Sequence, residues 1–250
     1  MTKNTNTSSP RPRARLAGSL YLLTIITGVF AELFVRGALV VRDDAATTAT
    51  NILTHEPLYR LGLAADPVML MCYVAVTLLF YDLFKPVNRR LSLLAAFFSL
   101  VGIAVLAVNS LNHLAPLVFL EGGQSMSAFE TNQLQTLAFA SIRMHTRGYL
   151  ISGVFFGIYM LLLGHLIFSS GSLPRILGVL MAVGGLSFLT NSFAIFLLPT
   201  LVAGFPNVGM LGGIAELALS LWLMARGVNA PKREQKGENA WTHRTKSEKP

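Results

Sequence analysis

Two acids stand in stretches that are otherwise fit for lipid: Glu32 in GVFAELFVRGALVV and Glu216 in GMLGGIAELALSLWL. A charged group centred in a membrane helix costs roughly 2.5–3.5 kcal/mol on insertion scales, so each marks a place where a proton, a charge or a polar ligand is handled. Their spacing points inward. Thr24, Gly28 and Glu32 recur every four residues, Gly212 and Ser220 flank Glu216 at the same interval, and Gly184, Ser187 and Asn191 make a third small, polar face. Small residues let helix backbones approach closely. With Asn109, Asn112 and His113 at the end of another apolar run, the candidate ligand-binding set is Glu32, Asn109, Asn112, His113, Asn191 and Glu216. Its expected form is a polar pocket opening outward, with Glu32 in its wall and Glu216 at its floor.

Each of these residues also has a plainer role. Asp66 precedes Pro67, and Asp at an N-cap with Pro at the first helical position is a standard helix start. Glu32 can pair with Arg36 four residues on, or reach up to water. The asparagines can hydrogen-bond between helices, worth roughly 0.6 kcal/mol on average. His113 can cap a helix end, and the glycines can serve packing alone. His113, His145, Glu32 and Asp66 could gather a metal at the outer rim. No H-E-x-x-H, H-x-x-x-H or G-x-S-x-G motif accompanies them, and no cofactor motif is legible.

These residues need a scaffold, and composition names its class. The 250 residues are 53% hydrophobic and 13% charged, where a soluble domain carries about 25% charged residues. That balance points to the bilayer. A basic chain invites a nucleic-acid reading, but the 20 Lys and Arg avoid the apolar runs and collect in tails and loops, a topology signal instead of a phosphate-binding face. Cys72 is the only cysteine, so no internal disulfide can form. The first apolar run is too long for a signal peptide, and Glu32 and Phe34 stand where small residues would precede cleavage, so an uncleaved first helix is expected.

Six runs are long enough to cross a core about 30 Å thick: approximately 16–35, 67–84, 91–113, 149–169, 174–198 and 208–226. None alternates apolar with polar, which disfavours a β-barrel. The fold expected is all-α, a polytopic six-helix membrane bundle, with short amphipathic helices in the two long outward loops, 36–66 and 120–148. In the second loop, Ser127 and Glu130 fit an S-x-x-E capping box before Leu134, Leu137, Ala138 and Ile142 at helical spacing. Residues 1–14 read as a basic cytoplasmic tail, 15–228 as the membrane domain and 229–250 as a disordered basic tail. Fifteen of the cations fall on the side of the two termini, against Arg36, Arg42, Arg60, Arg143 and Arg147 opposite. The positive-inside rule then puts both termini in the cytoplasm. The basic tails could touch anionic lipid, but a solvated tail is the favoured reading.

Several phrases, in order, carry a family resemblance: ARLAGSLYLL, AELFVRGALVV, RLGLAADPVML, LFKPVNRRLSLLAAFF, GYLISGVFFG and SSGSLPRILGVL. They resemble the bacterial integral-membrane family called domain of unknown function 4386 over roughly residues 13–228. The resemblance implies a six-helix protein of the bacterial cytoplasmic membrane and brings no activity and no catalytic residues. The leading functional expectation is a non-enzymatic protein that binds, moves or senses a small solute or proton. No internal repeat or pair of broken helices marks a transporter. The alternatives are a structural or partner-binding membrane protein and an intramembrane metal-dependent enzyme.

Overall fold

In the computed structural model, residues 10–202 and 208–228 are described. The expected tails at 1–9 and 229–250 lie outside these residues. Among the described residues the secondary structure is helical throughout.

Helix α1 spans Pro10–Val29 and runs on through a π-helical turn, Phe30–Arg36, into Gly37–Leu39. A short helix α2, Ala45–Thr54, follows. The long helices are then α3 (Glu56–Phe84), α4 (Arg89–Leu120), α5 (Thr131–Ser170) and α6 (Arg175–Leu197), with α7 (Met210–Arg226) the last described. Five helical stretches, α1 with its extension and α3 to α6, are long and apolar enough to cross a membrane. At 17 residues, α7 is about 25 Å long, somewhat short of a hydrocarbon core.

Local chemistry sets the ends. Asn88 caps α4 by accepting from the Leu91 N–H at 3.1 Å, and Asp44 caps α2 by accepting from the Thr47 N–H at 2.9 Å. Both bonds satisfy backbone donors that a helix start leaves open. Helix α5 stops at Gly171, whose φ of 64° is left-handed and favours glycine.

The long helices pack as a ring: α1 on α3, α3 on α4, α4 on α5, α5 on α6, α6 on α7, and α7 back on α1. Close approach of α5 to α6 rests on Gly164 and Gly178. A Cβ on either would fall within 2.7 Å of the other's carbonyl oxygen. The outside of the ring is apolar, with Leu78, Val108 and Leu186 each about 60% exposed or more. Such an outer face suits lipid and would be costly in water.

Three expectations about boundaries need correction. Asp66 is not a cap: α3 begins ten residues earlier and carries Pro67 in its interior. Tyr59, Gly62, Asp66, Met69 and Tyr73 form one buried stripe through the proline. The capping box at the start of α5 is three residues later than expected. Glu130 is the N-cap, its side chain receives the N3 backbone N–H, and Gln133 Oε1 accepts from the Glu130 N–H at 2.9 Å. Residues 131–148 are therefore not a separate surface helix but the first turns of a 40-residue α5. Finally, α1 reaches back to Pro10, into the stretch read as a tail.

Candidate functional site

Two polar centres lie inside the ring. The deeper one is built on Glu216. Its Oε1 accepts hydrogen bonds from the Tyr21 hydroxyl at 2.7 Å and the Tyr73 hydroxyl at 2.9 Å, so α1 and α3 both hold an acid that belongs to α7. Tyr21 is fully buried and Tyr73 nearly so, and Tyr73 stacks on Phe156 at a centroid distance of 4.8 Å. Among the described residues no Lys, Arg or His is paired with Glu216. A carboxylate that accepts from two hydroxyls has part of its hydrogen-bonding capacity met and its charge uncompensated.

Glu216 lines a cavity of about 400 Å³. Met69, Leu106, Phe156 and Phe188 supply apolar wall, and Thr24, Ser152, Asn191 and Ser192 supply polar atoms. Gly28 and Gly213 widen it. The inward faces expected of Thr24 and Gly28 and of Asn191 do meet Glu216 here. Glu32 does not join them.

The reason is the π turn. One extra residue in a helical turn rotates the remainder of the helix by about 100°. The Gly37 N–H bonds to the Glu32 carbonyl, five residues back, and the rotation carries Arg36 inward while Glu32 stays about half exposed. A simple four-residue repeat cannot anticipate that break.

Arg36 is the hub of the second centre. It is 6% exposed. Its Nε donates to Glu32 Oε2 at 2.8 Å, its Nη1 to the Asp66 carboxylate at 3.3 and 3.4 Å, and its Nη2 to the Tyr149 hydroxyl at 3.4 Å. His113 Nδ1 lies 2.6 Å from Asp66 Oδ2 and 2.9 Å from Arg36 Nη1. Behind it, the Tyr59 hydroxyl donates to the His113 carbonyl at 2.7 Å. Helices α4 and α5 clasp each other reciprocally: Asn109 Nδ2 donates to the His145 carbonyl at 2.8 Å, and His145 Nδ1 faces the Asn109 carbonyl at 3.1 Å. Asn112 Nδ2 donates to Asn109 Oδ1 at 3.1 Å. Gly148 makes the clasp possible, because a Cβ there would overlap the Asn109 amide.

The expected set therefore divides. Asn191 and Glu216 line the cavity. Glu32, Asn109, Asn112 and His113 belong to the Arg36 centre, seven residues or about 10 Å further along α3. Tyr149 touches both: its hydroxyl meets Arg36 and it forms part of the cavity wall. Sequence reasoning missed Tyr21 and Tyr73 as partners of the acid and Arg36 as a buried hub. The signal for the tyrosines was a polar-tipped aromatic on each inward stripe; for Arg36 there was none beyond its spacing from Glu32.

The chain belongs to the family described as Domain of unknown function (DUF4386), whose family model matches residues 16–227. It is similar to an uncharacterized protein of Archaeoglobus fulgidus, 26% identical over 155 residues, which is 62% of this chain and 76% of that protein. No solved structure matches it.

Proposed function

Taking membership of that family as the premise, we propose that this protein crosses the membrane six times and binds a small organic cation, an amine with an apolar body, in the cavity above Glu216. The single observation that carries the reading is Glu216 itself. It is an acid about 15 Å from the Arg226 end of α7, near mid-membrane for a spanning helix, and among the described residues it has two hydroxyl donors and no cationic partner. Apolar and aromatic walls around one fixed acid match what an organic cation requires: charge compensation at one end, desolvated contact and a ring face at the other. About 400 Å³ is the size of a small-ligand site. The expected orientation, with both termini cytoplasmic, is supported by the fifteen-to-five division of cations. It places the Arg36 centre toward the outside.

The test is thermal unfolding of the detergent-solubilised protein against a panel of amines and their neutral isosteres. Amines should raise the unfolding temperature in a dose-dependent way, isosteres should not, and Glu216→Gln should remove the effect while folding normally, because Gln keeps the shape and hydrogen-bonding capacity without the charge. Equal stabilisation of wild type and Glu216→Gln by the same amine would exclude Glu216 as the counter-ion.

A further inference from the structure

The Arg36 centre contains two buried imidazoles whose chemistry is only half used. His113 is 1% exposed and His145 3% exposed. His145 Nδ1 faces the Asn109 carbonyl at 3.1 Å, and His113 Nδ1 lies 2.6 Å from Asp66 Oδ2 and 2.9 Å from the donor Arg36 Nη1. In each ring Nε2 is buried with no hydrogen-bond partner among the described residues. An Nδ1–H given to an oxygen leaves the lone pair on Nε2, the tautomer that the carbonyl selects at His145 and that the shorter Asp66 contact favours at His113. Metal-ligating histidines are held in this way, with a carboxylate or backbone carbonyl behind the ring and a free basic nitrogen in front.

The separation of the rings agrees. Two imidazoles on one tetrahedral zinc, with bonds of 2.0–2.1 Å, have ring centroids about 5 Å apart. The His113 and His145 centroids are 5.2 Å apart. Asp66, His113 and His145 each offer a potential ligand atom within 4.8 Å of the others, so the three side chains form one compact donor group. Charge agrees as well. Arg36 is in contact with two acids, Glu32 and Asp66, leaving a surplus of negative charge for an entering cation.

We propose that His113 and His145 bind a divalent first-row transition metal of the zinc class through Nε2, with Asp66 and the Asn109 carbonyl orienting the two rings. Nitrogen donors favour such a metal over calcium or magnesium, which take oxygen. Remaining coordination positions are open to water or to an exogenous ligand, and the Tyr149 hydroxyl beside Arg36 connects this centre to the cavity. This site is separate from the Glu216 reading and stands or falls without it.

The full-length protein, purified in detergent and stripped with a chelator, would be titrated with Zn²⁺ alone and its retained metal measured after desalting. One equivalent should be retained. His113→Gln and His145→Gln should each weaken binding at least a hundredfold, and Asp66→Asn ten- to a hundredfold, the usual cost of losing an orienting partner. Glu216→Gln should bind as wild type does. X-ray absorption at the zinc edge of the wild-type protein needs no variant and should show imidazole scattering. Failure to retain stoichiometric metal, or a zinc spectrum without imidazole, overturns the proposal. So does uptake that is unchanged in the folded His113→Gln and His145→Gln proteins.

Discussion

Glu32 and Arg36 stand four residues apart on α1, and the π turn separates their fates: Arg36 is buried, Glu32 is about half exposed, and they still meet at 2.8 Å. Arg36 thus has one partner at the surface and one in the interior, since Asp66 is only 2% exposed. These two acids should respond very differently to substitution. Glu32→Gln should cost under about 1 kcal/mol, as for exposed pairs. Asp66→Asn leaves a buried guanidinium short of its counter-charge and should cost about 3–5 kcal/mol. Unfolding of the purified variants in a graded denaturant measures both. Near-equal losses would mean that Asp66 is not the principal counter-ion.

Tyr21 and Tyr73 both donate to the same oxygen of Glu216. Removing either hydroxyl with Phe should cost about 1.5–3 kcal/mol, the range for hydrogen bonds to a charged group. The double variant should fall short of the sum, because the two donors share one acceptor. A double-mutant cycle on unfolding free energy reads the coupling directly.

The cap of α2 should be acid-sensitive. The Thr47 backbone N–H and hydroxyl bonds to Asp44 hold its carboxyl below the usual range. A lowered carboxyl contributes stability that is fully present above the ordinary Asp value of about 3.9 and is lost as pH falls through the lower, folded value. Hydrogen exchange in Ala45–Thr54 should therefore be unchanged from neutral pH down to about 5, after correction for intrinsic rates, and accelerate below about 4. Asp44→Asn keeps a capping oxygen and should remove most of that pH dependence.

Topology can be checked independently. Reporter fusions in the loop around Lys85 and after Arg226 should both report the cytoplasmic side, as six spans with the positive-inside bias require. A periplasmic signal after Arg226 alone would mean that the 17-residue α7 does not cross.

How much of this was legible in the sequence depended on whether the signal was local. The apolar runs are local, so five long helices come from them directly. The face carrying Glu216 was legible because Gly212 and Ser220 repeat at helical spacing on an unbroken α7. Glu32 obeyed the same logic and failed, because a π turn has no sequence signature in FAELFVR. Asp66 failed for a different reason: Asp-Pro is a strong start signal, but Tyr59 and Gly62 already continue the buried stripe N-terminal to it. Asp66, His113 and His145 were legible as a group only through their shared place at the outer rim, which put Glu32 among them as well; no spacing within one segment encodes that these three helices meet while Glu32 pairs with Arg36.

Closure of the ring by α7 on α1 has a consequence for biogenesis. Tyr21 and Tyr73 are synthesised long before Glu216, so until the acid arrives their hydroxyls lack the acceptor that they share in the folded ring. A chain without α7 also leaves the faces of α1 and α6 that it covers without a partner. The order of synthesis thus makes the last described helix the one that completes both the ring and its acid–tyrosine centre.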